Sequence, residues 1–86
     1  MLHKKGVLKL NIAGEIYSFE CEAPNTELVA IAMGQELNLH LGNKLMPDEI
    51  QGIYPYLDKA KRGSGTRHAQ VGYRVIVTIV LSDVKA

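Results

Sequence analysis

The sequence has 86 residues, of which 47% are apolar and 22% are charged, values close to those of soluble globular domains. Its formal net charge of +1 argues against a protein that gains its affinity by covering nucleic-acid phosphates with lysine and arginine. A chain this short cannot enclose two independent cores, so we predict a single small domain over residues 1–86.

The chain contains one cysteine, Cys21, which excludes an intramolecular disulfide and any Cys-x-x-Cys pair for metal or redox chemistry. A reducing, cytoplasmic location is therefore expected. The longest apolar runs lie at residues 28–33 and 75–81, and both are much shorter than the ~20 residues of a membrane-spanning helix. We expect neither a membrane segment nor a targeting signal.

Residues 6–22 show the alternation of a β-hairpin. Leu8, Leu10 and Ile12 share one face of the first strand, and an Ala-Gly pair at 13–14 supplies the turn. Tyr17, Phe19 and Cys21 share one face of the second strand.

A first helix is predicted from about residue 26 to residue 41. Asn25 or Thr26 offers an N-cap, and a Gly-Asn pair at 42–43 supplies the end. The first half of this segment is apolar nearly all round, which predicts that it is buried. Its last leucines alternate with polar residues at strand spacing, so a strand over residues 36–41 is the competing interpretation.

A second helix is predicted to begin at Pro47, which is followed by two acidic residues that suit a helix N-terminus. Apolar side chains then recur at helical spacing, namely Ile50, Ile53, Tyr54 and Leu57. Pro55 is expected to kink or restart this helix, which ends with cationic residues before Gly63.

Residues 69–82 carry the strongest strand signal, with Tyr73 on the face predicted to meet the core. We therefore predict an α+β fold in the order β-β-α-α-β: a three-stranded antiparallel sheet with two helices on one face and a long C-terminal strand. So long a strand would project beyond the hairpin or pair with another chain, and its second face is half apolar. A homodimer or larger homo-oligomer is expected for this reason.

The segment KAKRGSGTRH at residues 59–68 is basic and glycine-rich. It lacks the third glycine of a dinucleotide-binding loop and the Gly-Lys-Ser/Thr of a Walker loop, and a predicted strand follows it. Cations suit a helix C-terminus in any case, but a glycine-rich backbone can also form an anion nest. Contact with nucleic acid or a phosphorylated small ligand is thus the alternative function, through Lys59, Lys61, Arg62, Ser64, Arg67 and His68.

Ser64 and His68 supply residue types of a hydrolytic triad, but no nucleophile motif surrounds them. The three histidines, His3, His40 and His68, do not stand at the spacing of a helical metal pair. We predict that the protein is not an enzyme and needs no metal or cofactor.

Tyr54 and Tyr56 flank Pro55 and are the strongest candidates for contact with a protein, because aromatic side chains give a large contact area at little entropic cost. We predict a small binding module that acts on a partner macromolecule as a regulator, inhibitor or assembly factor. The predicted contact residues are Tyr54, Tyr56, Arg62, Arg67 and Arg74.

Overall fold

The computed structural model describes residues 2–62 and 67–85. Its elements follow one another as two strands, two helices and two strands. They are β1 (Leu2–Ile12), β2 (Glu15–Ala23), α1 (Thr26–Leu41), α2 (Pro47–Lys61), β3 (Arg67–Val71) and β4 (Val75–Lys85). The four strands form one antiparallel sheet in the order β2-β1-β4-β3.

Both helices pack on the same face of this sheet. Helix α1 lies over β1 and β2, and α2 lies over β3 and β4. Leu8 of β1 and Val77 of β4 point towards the helices, where they join one buried cluster with Met33 and Ile53. The alternate side chains of the strands form the opposite surface, which we call the open sheet face: Val7, Lys9, Asn11, Ile16, Ser18, Glu20, His68, Gln70, Ile76, Thr78 and Val80.

The N-terminal hairpin forms as the sequence predicts. Ala13 and Gly14 both have positive φ, of 51° and 95°, which is the backbone of a two-residue turn matched to the twist of the strands. Asn11 supports this turn by accepting a hydrogen bond from the Gly14 amide at 2.8 Å. The register places Leu8 opposite Phe19.

The predicted third strand is wrong, because residues 69–82 form parts of two strands. The chain turns at residues 72–74, so that Val71 pairs with Val75 and the sheet gains a fourth strand. Gly72 has a φ of 66°, a left-handed conformation that glycine adopts without strain. Tyr73 occupies the turn and is completely exposed, so its predicted place on the core face is also wrong.

Strand β4 does not project from the sheet. It pairs with β1 along its entire length, from Val75 opposite Ile12 to Lys85 opposite Leu2. On its other side it pairs with β3 over residues 75–79. The expectation that the C-terminal strand projects beyond the hairpin is therefore wrong, because β1 pairs with all of it. Self-association itself stays a prediction.

Helix α1 runs from Thr26 to Leu41, as predicted, and the strand alternative for residues 36–41 is wrong. Asn25 caps it by accepting a hydrogen bond from the Leu28 amide at 2.9 Å. The expectation that its first half is buried all round is wrong on one side, since Leu28 is 45% exposed and Ile31 is 40% exposed.

Helix α2 begins at Pro47 and continues without interruption to Lys61, with Pro55 inside it. Pro55 therefore does not restart the helix. Glu49 reaches back to the start of the helix and accepts a hydrogen bond from the Met46 amide at 2.8 Å. In the part of the chain that the structure describes, no helix has the length and apolar character needed to cross a membrane.

Candidate functional site: the loop end

Three connections of the chain meet at one end of the sheet. They are the β1–β2 turn at residues 13–14, the α1–α2 loop at residues 42–46 and the β3–β4 turn at residues 72–74. We call this surface the loop end. The Ala13 amide donates a hydrogen bond to the Arg74 carbonyl at 2.9 Å, and the Arg74 side chain donates one to the Lys44 carbonyl at 2.9 Å. Arg74 thus joins all three connections.

The guanidinium of Arg74 is held by the carboxylate of Glu49. Its Nε donates to Glu49 Oε2 at 2.9 Å, and its Nη2 donates to Oε1 at 3.0 Å. This two-point contact fixes the plane of the guanidinium as well as its position. Glu49 is only 8% exposed, and the hydrogen bonds from Arg74 and from the Met46 amide hold the pKa of its carboxyl below the usual value.

Two large side chains stand exposed beside this ion pair. Tyr73 is completely exposed and Met46 is 62% exposed. Between them lies a depression of about 400 Å³, which is also lined by Asp48, Glu49 and Arg74. Since Tyr73 and Arg74 are neighbours in a three-residue turn, the ion pair anchors the backbone that presents the tyrosine ring.

A second depression, of about 260 Å³, lies on the other side of Arg74. Its walls include Tyr17 and Lys44, whose ammonium group stands 5.7 Å from the centre of the tyrosine ring. The Tyr17 hydroxyl donates a hydrogen bond to the Glu15 carboxylate at 2.6 Å. Arg74 therefore separates an apolar depression from a charged one.

The side chains on this surface offer both apolar and polar contact. An exposed aromatic ring and a flexible thioether offer apolar contact, and the carboxylates and cations beside them offer polar contact. Among residues 2–62 and 67–85, no three His, Cys, Asp or Glu side chains lie close enough together to hold a metal ion.

The structure places the predicted tyrosine pair on different flanks of α2. The Tyr54 hydroxyl exchanges hydrogen bonds with the Asn38 side chain of α1, at 3.2 and 3.3 Å. Tyr56, two residues later and so about 200° further round the helix, lies under the ammonium group of Lys59 at 5.4 Å from its ring centre. Both rings are partly buried, and they do not form one patch.

The predicted arginines are also separated. Arg74 lies at the loop end, whereas Arg62 caps the far end of α2. At that far end the Lys61 carbonyl accepts a hydrogen bond from Thr26 at 3.0 Å. Arg67 begins β3, but its side chain lies outside the described part of the structure.

The residues proposed for anion contact divide between two faces. Lys59, Lys61 and Arg62 lie at the end of α2, where Lys61 approaches Asp58 at 3.7 Å. His68 lies on the open sheet face, with its Nδ1 at 2.8 Å from the Thr78 hydroxyl. Ser64 lies outside the described residues.

Sequence reasoning missed Tyr73 and Met46 as surface residues. A signal for Tyr73 was present, because glycine inside a strand pattern often marks a break, and Gly72 immediately precedes the tyrosine. Met46 carried no such signal, since its exposure depends on how the α1–α2 loop meets the β3–β4 turn.

Comparison with known proteins assigns no relative to the chain: no protein-family model, curated protein or solved structure matches it.

Proposed function

We propose that the chain is a non-enzymatic binding module that contacts a protein partner through its loop end, and that it acts as a regulator, inhibitor or assembly factor by occupying that partner. The observation that carries this proposal is Tyr73, a completely exposed tyrosine on a short turn next to the exposed Met46.

The residue types at the loop end favour protein contact. Tyrosine, methionine and arginine are enriched at protein interfaces relative to the rest of a protein surface. Tyr73 projects from a turn whose next residue, Arg74, is fixed by Glu49, so little backbone freedom is lost when a partner orders the ring. A large, pre-positioned aromatic beside an apolar depression is the usual form of a binding hot spot.

The same surface defines the chemistry of the partner. The depression between Met46 and Tyr73 suits one large apolar side chain, and the exposed Asp48 on its wall suits a lysine or arginine beside that side chain. Glu49 already has a cationic partner in Arg74, so Asp48 is the carboxylate at this site that we expect a partner to contact. We therefore infer a protein segment with an apolar anchor flanked by a basic residue.

The experiment is capture from a lysate of the source cell, treated with nuclease, using immobilised wild-type protein and two variants. Tyr73→Ser removes the ring from the loop end, and Ile16→Ser removes an apolar side chain that is 65% exposed on the open sheet face. We expect a nuclease-resistant protein that the wild type and Ile16→Ser retain and Tyr73→Ser loses.

Three outcomes would contradict the proposal: no captured protein, equal capture by Tyr73→Ser, or capture that nuclease abolishes. The last outcome would instead favour nucleic-acid contact through the cationic end of α2. Binding of the nucleic acid should then be lost when Lys61 and Arg62 are changed to alanine.

A further inference from the structure

The outer face of α1 is a continuous uncharged surface. Five side chains form this face, which we call the α1 stripe: Leu28, Ile31, Ala32, Gln35 and Leu39. At 100° per residue they fall within one 100° sector of the helix, opposite the buried Met33 and Leu37. Leu28 is 45% exposed, Ile31 40% and Leu39 74%, so these three side chains remain substantially exposed in the described part of the chain. Ala32 is partly buried against the core.

The order of four of the five stripe residues, all but Ile31, is self-complementary. Leu28, Ala32, Gln35 and Leu39 are separated by four, three and four residues, a spacing that is the same in both directions. If two copies of α1 lie antiparallel about a two-fold axis, Leu28 of each copy meets Leu39 of the other. The small Ala32 then meets Gln35 at the centre, where the longer side chain needs room.

From this arrangement we infer that the α1 stripe is a homodimer surface, on which a second copy of this chain packs its own α1 antiparallel to the first. The spacing is that of the helix pairs that cross at about 20°. Antiparallel packing also sets the positive N-terminus of one helix beside the negative C-terminus of the other.

The open sheet face is a poorer surface for a second copy. Its apolar side chains, such as Ile16 and Ile76, alternate with Lys9 and His68, and burying the Lys9 cation without a partner is costly. The α1 stripe contains no charged side chain. From Leu28 to Leu39 the stripe is about 17 Å long, which is short for a stable interface of ~1,200 Å² or more, so we expect dissociation in the micromolar range.

Sedimentation equilibrium over a range of concentrations tests the dimer. We expect the wild-type mass to rise towards twice the monomer mass, and Leu39→Glu to weaken association by about tenfold or more. Leu39 is 74% exposed and glutamate is a good helix former, so this variant should keep the fold, as checked by circular dichroism. The control, Ile16→Glu on the open sheet face, should associate like the wild type.

Disulfide cross-linking tests the antiparallel arrangement. The double variant Leu28→Cys/Leu39→Cys should form covalent dimers under mild oxidation, while each single variant should not. The native Cys21 is 8% exposed and stays out of the reaction. A wild type that remains monomeric at high micromolar concentration, loss of the dimer with Ile16→Glu alone, or cross-linking by Leu28→Cys alone would overturn the inference.

Discussion

Arg74 of the β3–β4 turn donates two hydrogen bonds to Glu49 of α2, at 2.9 and 3.0 Å. The two lie 25 positions apart in the chain, and each makes a second hydrogen bond at the loop end. Glu49 accepts the Met46 amide at the start of α2, and Arg74 donates to the Lys44 carbonyl. The pair therefore fixes a helix start, a loop and a turn relative to one another.

Replacing Arg74 tests how much the fold depends on this pair. Arg74→Ala leaves the nearly buried carboxylate of Glu49 without its cation, so we expect Tm to fall by several degrees. Arg74→Lys keeps the charge but loses the two-point contact, so its Tm should lie between those of Arg74→Ala and the wild type. Arg62→Ala, at the exposed end of α2, is the control and should leave Tm nearly unchanged. Equal Tm values for Arg74→Ala and wild type would contradict this account.

The same pair predicts a pH dependence of stability. The pKa of Glu49 is lowered in the folded protein from its ordinary value near 4.5, so its stabilising contribution is fully present above that value. The contribution is lost as the pH falls below 4.5 and through the lowered folded pKa. Urea unfolding of wild type and Glu49→Gln should give a stability difference that shrinks over this acid range. A difference that stays constant from neutral pH to strongly acid pH would contradict the prediction.

Gly6 lets α1 approach the sheet closely. A Cβ atom at this position would lie 2.4 Å from Val29 Cγ1, and Val29 is completely buried and has a stiff side chain in a helix. Gly6→Ala should therefore lower the free energy of unfolding by roughly 1–3 kcal/mol. The control is Gly34→Ala, where the nearest atom is 3.7 Å away; it should raise that free energy by up to about 1 kcal/mol through better helix propensity. Chemical denaturation measures the free energy of unfolding of both variants. A Gly6→Ala variant more stable than Gly34→Ala would contradict the close approach of α1 to the sheet.

Cys21 should be unreactive in the folded protein. Burial raises the pKa of its thiol, and the negative charge of Glu36 raises it further, so little thiolate is present at neutral pH. A thiol reagent added at neutral pH should modify Cys21 slowly without denaturant and rapidly in concentrated urea. Rapid modification in native buffer would show that β2 opens locally.

Most of the fold follows from local signals in the sequence. The Ala-Gly turn, the Asn25 cap and Pro47 each mark an element boundary through local backbone or side-chain chemistry. The break at Gly72 was missed because the residues on both sides of it keep the alternation of a single strand. Pro55 was expected to interrupt α2, yet the helix continues through it. The helix packs against α1, β3 and β4, and this tertiary packing stabilises it in spite of the proline.

The candidate site follows from the sequence only in part. Arg74 was identified as a contact residue, but its link to Glu49 depends on a tertiary approach that no spacing in the chain reveals. Tyr54 and Tyr56 lie on different flanks of α2 because a helix rotates by about 100° per residue. Tyr73 and Met46 come together only when the β3–β4 turn folds against the start of α2.

The most direct test of the central claim is the affinity of the captured partner for three versions of the protein, measured by titration calorimetry. We predict that Tyr73→Ser weakens binding by about tenfold or more and that Tyr73→Phe, which keeps the ring, stays close to wild type. Wild-type affinity for Tyr73→Ser would contradict the assignment of the loop end as the binding surface.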